Sequence, residues 1–285
     1  MDLFLIVLFL AIVIASYRDI QIREVPDTLS YGLIMFGLIG SGILALQGNT
    51  SVFIESILGC LAGTIIGMGM FYARQWGGGD AKLLMGVGAI LGLSWNNLDL
   101  PLFFILLIFL GAIYGLLWTV GLAFIHKKQF LPECKKRLRT KKYLHIRKTL
   151  LATLFLLFIA IFFVPYELKL LLGATMALLY LLTYSWIIIK TVEDTIMVKR
   201  YPISKLVEGD WIVQEVKVKN KLIIKAKNTG VTTKQIAQLK KAKIQSVKVK
   251  EGVPFVPGFF FAFLALLLLK HLYGEHVFLL LLGLT

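Results

Sequence analysis

The sequence predicts an α-helical polytopic membrane protein of about eight spans, with a small α+β cytoplasmic domain inserted before the last helix. Three observations predict it. Hydrophobic residues make up 58% of the 285 residues, and mean hydropathy is +0.81. These residues collect in blocks of 15 to 25, the length that crosses a hydrocarbon core about 30 Å thick. The basic residues lie between the blocks, and the stretch 190–251 has the alternating texture of a water-soluble fold.

In chain order, the expected spans are about 3–17, 29–47, 52–73, 83–95, 101–125, 149–165, 168–189 and 254–273. The fourth is short and Gly-rich, and so is marginal as an independent crossing. The tail 277–284 is apolar but too short to span. The first run begins directly after Met1-Asp2, without a basic region or a small-residue cleavage site. It is expected to be a retained helix and not a cleaved signal. Glycines repeat every fourth residue at Gly59, Gly63 and Gly67, at Gly88 and Gly92, and at Gly111 and Gly115. This spacing lets helix backbones approach closely in lipid and concerns packing, not chemistry.

Domain boundaries follow from texture. Residues 1–189 form the expected membrane core, with a basic loop at 126–148; residues 252–285 form the last helix and its apolar tail. Between them, 190–251 reads as the α+β domain. Trp211 to Lys219 and Leu222 to Lys227 look like strands joined near Asn220. Thr232 or Thr233 caps a helix running through Lys243, and Gln245 to Lys250 alternates again. The basic loop, with Phe130, Leu131, Leu138, Tyr143 and Leu144 among its charges, suits an amphipathic helix on anionic membrane lipid.

The formal net charge is +15. Segments 18–28, 74–82, 126–148 and 190–251 hold 29 of the 31 basic residues. Eight crossings place all four on one side, leaving Lys169 and Lys270 on the other. Cytoplasmic loops gather Lys and Arg, so the rich side is cytoplasmic and the N-terminus lies outside. Topology therefore accounts for the charge, and no nucleic-acid partner is expected. Cys60 and Cys134 share no spacing motif, and His126, His145, His271 and His276 form no pair. No metal and no cofactor are expected.

Two acidic residues stand out against this background. Asp19 follows the first span in Tyr17-Arg18-Asp19-Ile20-Gln21-Ile22-Arg23-Glu24-Val25-Pro26-Asp27, and Asp80 precedes the fourth in Trp76-Gly77-Gly78-Gly79-Asp80-Ala81-Lys82. Hydropathy and charge counting put both on the cytoplasmic side, at about the same level. Two carboxyls at close range do not both ionise cheaply, so one serves as acid and the other as base. The base takes a proton from water while the acid polarises a scissile carbonyl. Gly77 to Gly79 would admit backbone to a bound peptide and supply torsions that other residues avoid. Lys82 and Arg23 would tune the local charge. An Asp at a helix end beside Arg is ordinarily an interface residue, so the spacing alone leaves that reading open.

The two segments together resemble the type IV prepilin peptidase family, aspartic proteases of the Gly-x-Gly-Asp kind. In that family an Asp after the first helix precedes a basic residue and an Ile/Val-Pro-Asn/Asp turn. Here these are Asp19, Arg23 and Val25-Pro26-Asp27, while Gly77 through Lys82 match Gly-x-Gly-Asp-x-Lys. Lys250 to Pro257 and Gly230 to Lys240 resemble archaeal members. The resemblance implies that Asp19 and Asp80 are catalytic, with Gly77, Gly79, Lys82, Arg23 and Pro26 as motif support. It also implies prepilin or prearchaellin (preflagellin) precursors as partners. Their short basic signal peptides are cut at the cytoplasmic face, just before the hydrophobic segment. Two separated cysteines do not make the four-cysteine zinc domain of many bacterial relatives, so no N-methylation is expected. The basic insertion and the number of spans depart from archaellin-processing members and favour a pilin-type precursor. Glu24 or Asp27, acidic and near the pair, is the expected reader of the precursor's basic residue. The alternatives are an intramembrane-cleaving Gly-x-Gly-Asp protease, whose acids lie inside spans, and a proton-coupled transporter, whose acids lie near the midplane.

Overall fold

A computed structural model describes residues 3–73, 75–218, 221–224 and 230–274. The protein is a mostly helical polytopic membrane protein with a small α+β region near its C-terminal end. Among the described residues, seven helices are long and apolar enough to cross a membrane. They are α1 (Leu3–Ile22), α2 (Asp27–Leu46), α3 (Thr50–Tyr72), α5 (Asp99–Ile125), α7 (Lys141–Ala160), α8 (Tyr166–Thr195) and α10 (Val256–Tyr273). The remaining expected span, the fourth in chain order, is α4 (Gly78–Leu91), only 14 residues long. It starts before the anticipated 83–95 and stops where Gly92 turns to a φ of 70°, a conformation that favours glycine.

The chain divides into two compact units, residues 1–115 with 254–285, and residues 116–253. In the first, α4 is the inner helix, flanked by α2 and α3. Eight of its residues are buried, on all sides of the helix, so protein and not lipid is its solvent. Glycine makes this possible. A Cβ on Gly63 would lie 2.6 Å from the Leu84 carbonyl oxygen, and one on Gly67 would lie 2.8 Å from that of Ala81. Gly59 and Gly88 face each other with the same intimacy. On the other flank, Gly37 of α2 meets the backbone of Ala89, and Gly86 meets Leu33. Gly111 approaches Phe255 and Gly258, whereas a Cβ on Gly115, expected to share this packing, would meet nothing within 4 Å.

The register of these contacts runs α4 antiparallel to α3. Gly67 faces Ala81, Gly59 faces Gly88, and the Leu93 amide donates to the Glu55 carbonyl (3.0 Å). The start of α5 therefore lies at the opposite end of the unit from Asp80. There Lys270 of α10 pairs with Asp99 (2.6 Å), both side chains largely buried. The core between the two ends joins Leu8 and Ile12 of α1, Leu83, Leu84 and Val87 of α4, Phe103 and Leu107 of α5, and Phe259 and Phe263 of α10. Apolar residues on the outer faces, such as Leu10, Ile14 and Ile65, stay exposed, as lipid-facing positions do.

In the second unit the expected basic loop 126–148 is helix α6 (Lys127–Leu138) followed by the first turns of α7. Arg137 joins these helices to α8 through Tyr143 (3.0 Å) and Asp194 (2.8 Å). The α+β portion holds a three-stranded antiparallel sheet in the order β1-β5-β2, formed by β1 (Val198–Pro202), β2 (Trp211–Ile212) and β5 (Ser246–Lys250). A separate hairpin pairs β3 (Val216–Val218) with β4 (Lys221–Ile224). The single strand expected at Trp211 to Lys219 is thus two, and β1 was not anticipated. Helix α9 (Thr233–Lys241) begins at Thr232, whose hydroxyl accepts from the Gln235 amide while the Gln235 side chain accepts from the Thr232 amide. Ile236 and Leu239 of α9 cover Val247 and Val249 of the sheet. The turn near Asn220, the end of the second expected strand at Lys225 to Lys227, and the tail 277–284 lie outside the described residues.

Candidate active site

Asp19 sits one turn before the end of α1 and is buried, at 7% exposure. Its Oδ2 accepts a hydrogen bond from the Val256 amide (2.9 Å). One turn earlier, Ser16 Oγ donates to the Val256 carbonyl (3.3 Å). Val256 opens α10, and the residue at that helix's N-cap is Phe255, which has no side-chain acceptor to offer. A helix start leaves orphan amides. Pro257 removes one of them by having no N–H, and Asp19 satisfies another from across the bundle. Sequence reading identified the Pro-rich entry to this helix. It did not find Ser16 or the Val256 amide, because the partners are about 240 residues apart and no local pattern connects them.

Asp80 occupies the third position of α4 and is half-buried. Its Oδ2 accepts from the Gly77 amide at the N-cap (3.0 Å). Burial pushes its carboxyl up from the ordinary range to about 7; the charge of Asp19 adds to the rise and the Gly77 amide opposes it. Asp19 and Asp80 therefore sense each other at one end of the first unit. Tyr114 of α5 also lies within electrostatic reach of Asp19 and Arg23.

The supporting residues divide by role. Arg23 ends α1 at a φ of 59°, its amide donating to the Asp19 carbonyl (3.0 Å), and its charge acts on Asp19. A non-glycine residue in this left-handed region is strained, and such strain gathers at functional turns. Pro26, extended at φ −60° and ψ 128°, sets the entry to α2. Of the three glycines before Asp80, only Gly79 is crowded: a Cβ there would come within 3.0 Å of Val25. None of the three has a positive φ, which corrects the expectation that they supply unusual torsions. Gly79 is small so that the α4 start can press on the α1–α2 turn. Lys82 reaches across that junction to Asp27 (2.7 Å) and lies over the Tyr31 ring. Asp27 thus has a cation of its own, while Glu24 is exposed on the same turn. Among the described residues, no group of three His, Cys, Asp or Glu side chains is arranged to hold a metal.

Residues 6–116 match the model of the type IV leader peptidase family. The chain is 34% identical over 111 residues to a preflagellin peptidase of Methanocaldococcus jannaschii. Proteins of the same description from Methanococcus voltae and Methanococcus maripaludis are 40% and 39% identical over 83 and 84 residues. These matches take in 35%, 29% and 28% of this chain, and 47%, 35% and 35% of the relatives, so the chain spans under half the length of each. No solved structure matches. Both aspartates, the α1–α2 turn and all of α4 fall within residues 6–116, and over that segment the chain matches the type IV leader peptidase family.

Proposed function

We propose that this chain is a membrane aspartic endopeptidase that removes short basic signal peptides from archaeal-type prepilin or prearchaellin precursors at the cytoplasmic membrane face. The observation that carries the proposal is the pair itself. Two carboxyls stand at one end of a single helical unit, each engaged by a backbone amide, with Asp80 held up near 7 in part by the charge of Asp19. The family match and the names of the relatives supply the substrate class. The concentration of Lys and Arg in the flanking segments supports the cytoplasmic side. No N-methylation belongs to this reading, since the two separated cysteines do not resemble the zinc domain that accompanies it in bacterial relatives.

The chemistry follows from the split between the carboxyls. Asp80, the group that keeps its proton, hydrogen-bonds to the scissile carbonyl oxygen. Asp19, as carboxylate, takes a proton from a water whose oxygen adds to the carbonyl carbon. The tetrahedral adduct collapses when the leaving amine receives a proton from the pair, and the C–N bond breaks. The two groups titrate as a unit.

Membranes containing the protein, mixed with a tagged precursor of either class, should yield the shortened product. Cleavage should fall about tenfold per unit once pH passes about 7, as the shared proton is lost. Activity that keeps rising to pH 9 would remove Asp80 as the acid. Glu24, exposed and with no ion pair among the described residues, is proposed to read the precursor's basic residue. Wild type should then cut a charge-neutralised precursor more slowly than the native one, and Glu24→Gln should cut both alike. Undiminished discrimination by Glu24→Gln would rule out that role.

A further inference from the structure

The two carboxyls are held by amides that share a further property. The Gly77 amide, which holds Asp80, follows Trp76; the Val256 amide, which holds Asp19, follows Phe255. These two aromatic rings touch, with centroids 5.4 Å apart and planes tilted by 39°. Trp76 is buried at 8% exposure and also meets Phe259 (5.8 Å) and Phe104 (6.3 Å). The loop entering α4 and the loop entering α10 are remote in sequence. Their rings make a direct bridge between the backbone segments that grip the two acids.

The geometry points to Trp76 and Phe255 as positioning residues that set the separation of Asp19 and Asp80. This inference rests on the proposed peptidase reading and adds to it. Neither ring needs to touch substrate. Each fixes an amide, each amide fixes one carboxyl oxygen, and ring contact fixes one amide relative to the other. A smaller side chain at either position lets the loops move independently. An error of about 1 Å in such a pair lowers the rate on the order of a hundredfold.

Among the described residues, the charged and titratable groups at this end are Tyr17, Arg18, Asp19 and Arg23 from α1 and its turn, Glu24 beside them, Asp27 and Tyr31 of α2, Tyr72 at the end of α3, Tyr114 of α5, and Lys82 on α4 itself. Lys82 is turned to Asp27 and Tyr31, so Asp19 is the charge that acts on Asp80. Loosening the bridge weakens that action. The upper limb of the pH profile should therefore move down along with the rate.

The test compares Trp76→Leu, Phe255→Leu, the double variant, Trp76→Phe and Phe103→Leu in the full-length protein. Phe103 packs on Phe259 in the same cluster but lies on neither loop, so it controls for lost packing alone. Trp76→Leu and Phe255→Leu should each lower kcat about 10- to 100-fold with KM within about threefold, and lower the pH limb. The double variant should be no worse than the poorer single, because both break one bridge. Trp76→Phe should restore most of the rate, and Phe103→Leu should leave the limb in place. Wild-type kcat and pH profile in both leucine variants would overturn the inference, and so would an equal limb shift in Phe103→Leu. If Asp19→Asn and Asp80→Asn are inactive in the same assay while the bridge variants behave as wild type, the bridge falls and the peptidase reading stands. If the asparagine variants still cleave, both fall.

Discussion

Asp80→Asn and Asp19→Asn are each expected to abolish precursor cleavage, by about 10⁴-fold or more, while the protein accumulates in the membrane at near wild-type levels. The reason is chemical. Asparagine keeps the shape of the side chain and an oxygen that can accept the Gly77 or Val256 amide, so the helix starts stay capped. It cannot exchange a proton with water or with a leaving amine. Asp80→Asn removes the group that retains the proton near neutrality. On the proposed mechanism Asp19→Asn removes the acceptor of the water proton, and it also removes the negative charge that helps hold Asp80 up. Product formation measured by the mobility shift of a tagged precursor decides the matter. Cleavage within tenfold of wild type in either variant would show that the residue is a helix cap and nothing more.

Gly63→Leu is expected to produce the largest loss of stability. A Cβ at this position already falls 2.6 Å from the Leu84 carbonyl oxygen, and backbone has no rotamer with which to retreat. Overpacking against flexible side chains costs about 1–3 kcal/mol, and forcing apart two backbones should exceed that range. The α3–α4 pair would open and Asp80 would shift with it. Gly69→Leu is the matched control: it lies on the same helix with nothing within 4 Å, and should accumulate as wild type does. The readout is monodisperse protein after detergent extraction, with thermal midpoint as a second measure. Equal yields of the two variants would contradict the packing described here.

The spans were legible because apolar length is a one-dimensional signal and the bilayer imposes it. The exception is instructive: α4 is short, and enclosed by α2 and α3 it never has to match the bilayer unaided. The glycine spacing at 59, 63 and 67 pointed to close packing, yet Gly115 shares the spacing and a Cβ there would meet nothing within 4 Å, since spacing does not name the partner. The cap at Thr232 was readable from local chemistry. Strand β1 was not, because Val198–Pro202 carries Lys199 and Arg200 and becomes a strand through pairing with β5, about fifty residues on. The aspartates declared themselves through their motifs. What holds them, the Val256 amide and the Trp76–Phe255 contact, comes from distant chain and had no signature in sequence.

The shortness of α4 has a consequence for access. Ala81 lies beside Gly67, whereas α3 continues to Tyr72. At 1.5 Å per residue, Asp80 is sunk about 6 Å below the tip of its neighbour. On the proposed reading, a precursor helix crossing the bilayer would present the bond beside its last apolar turn at that level without being drawn out of lipid.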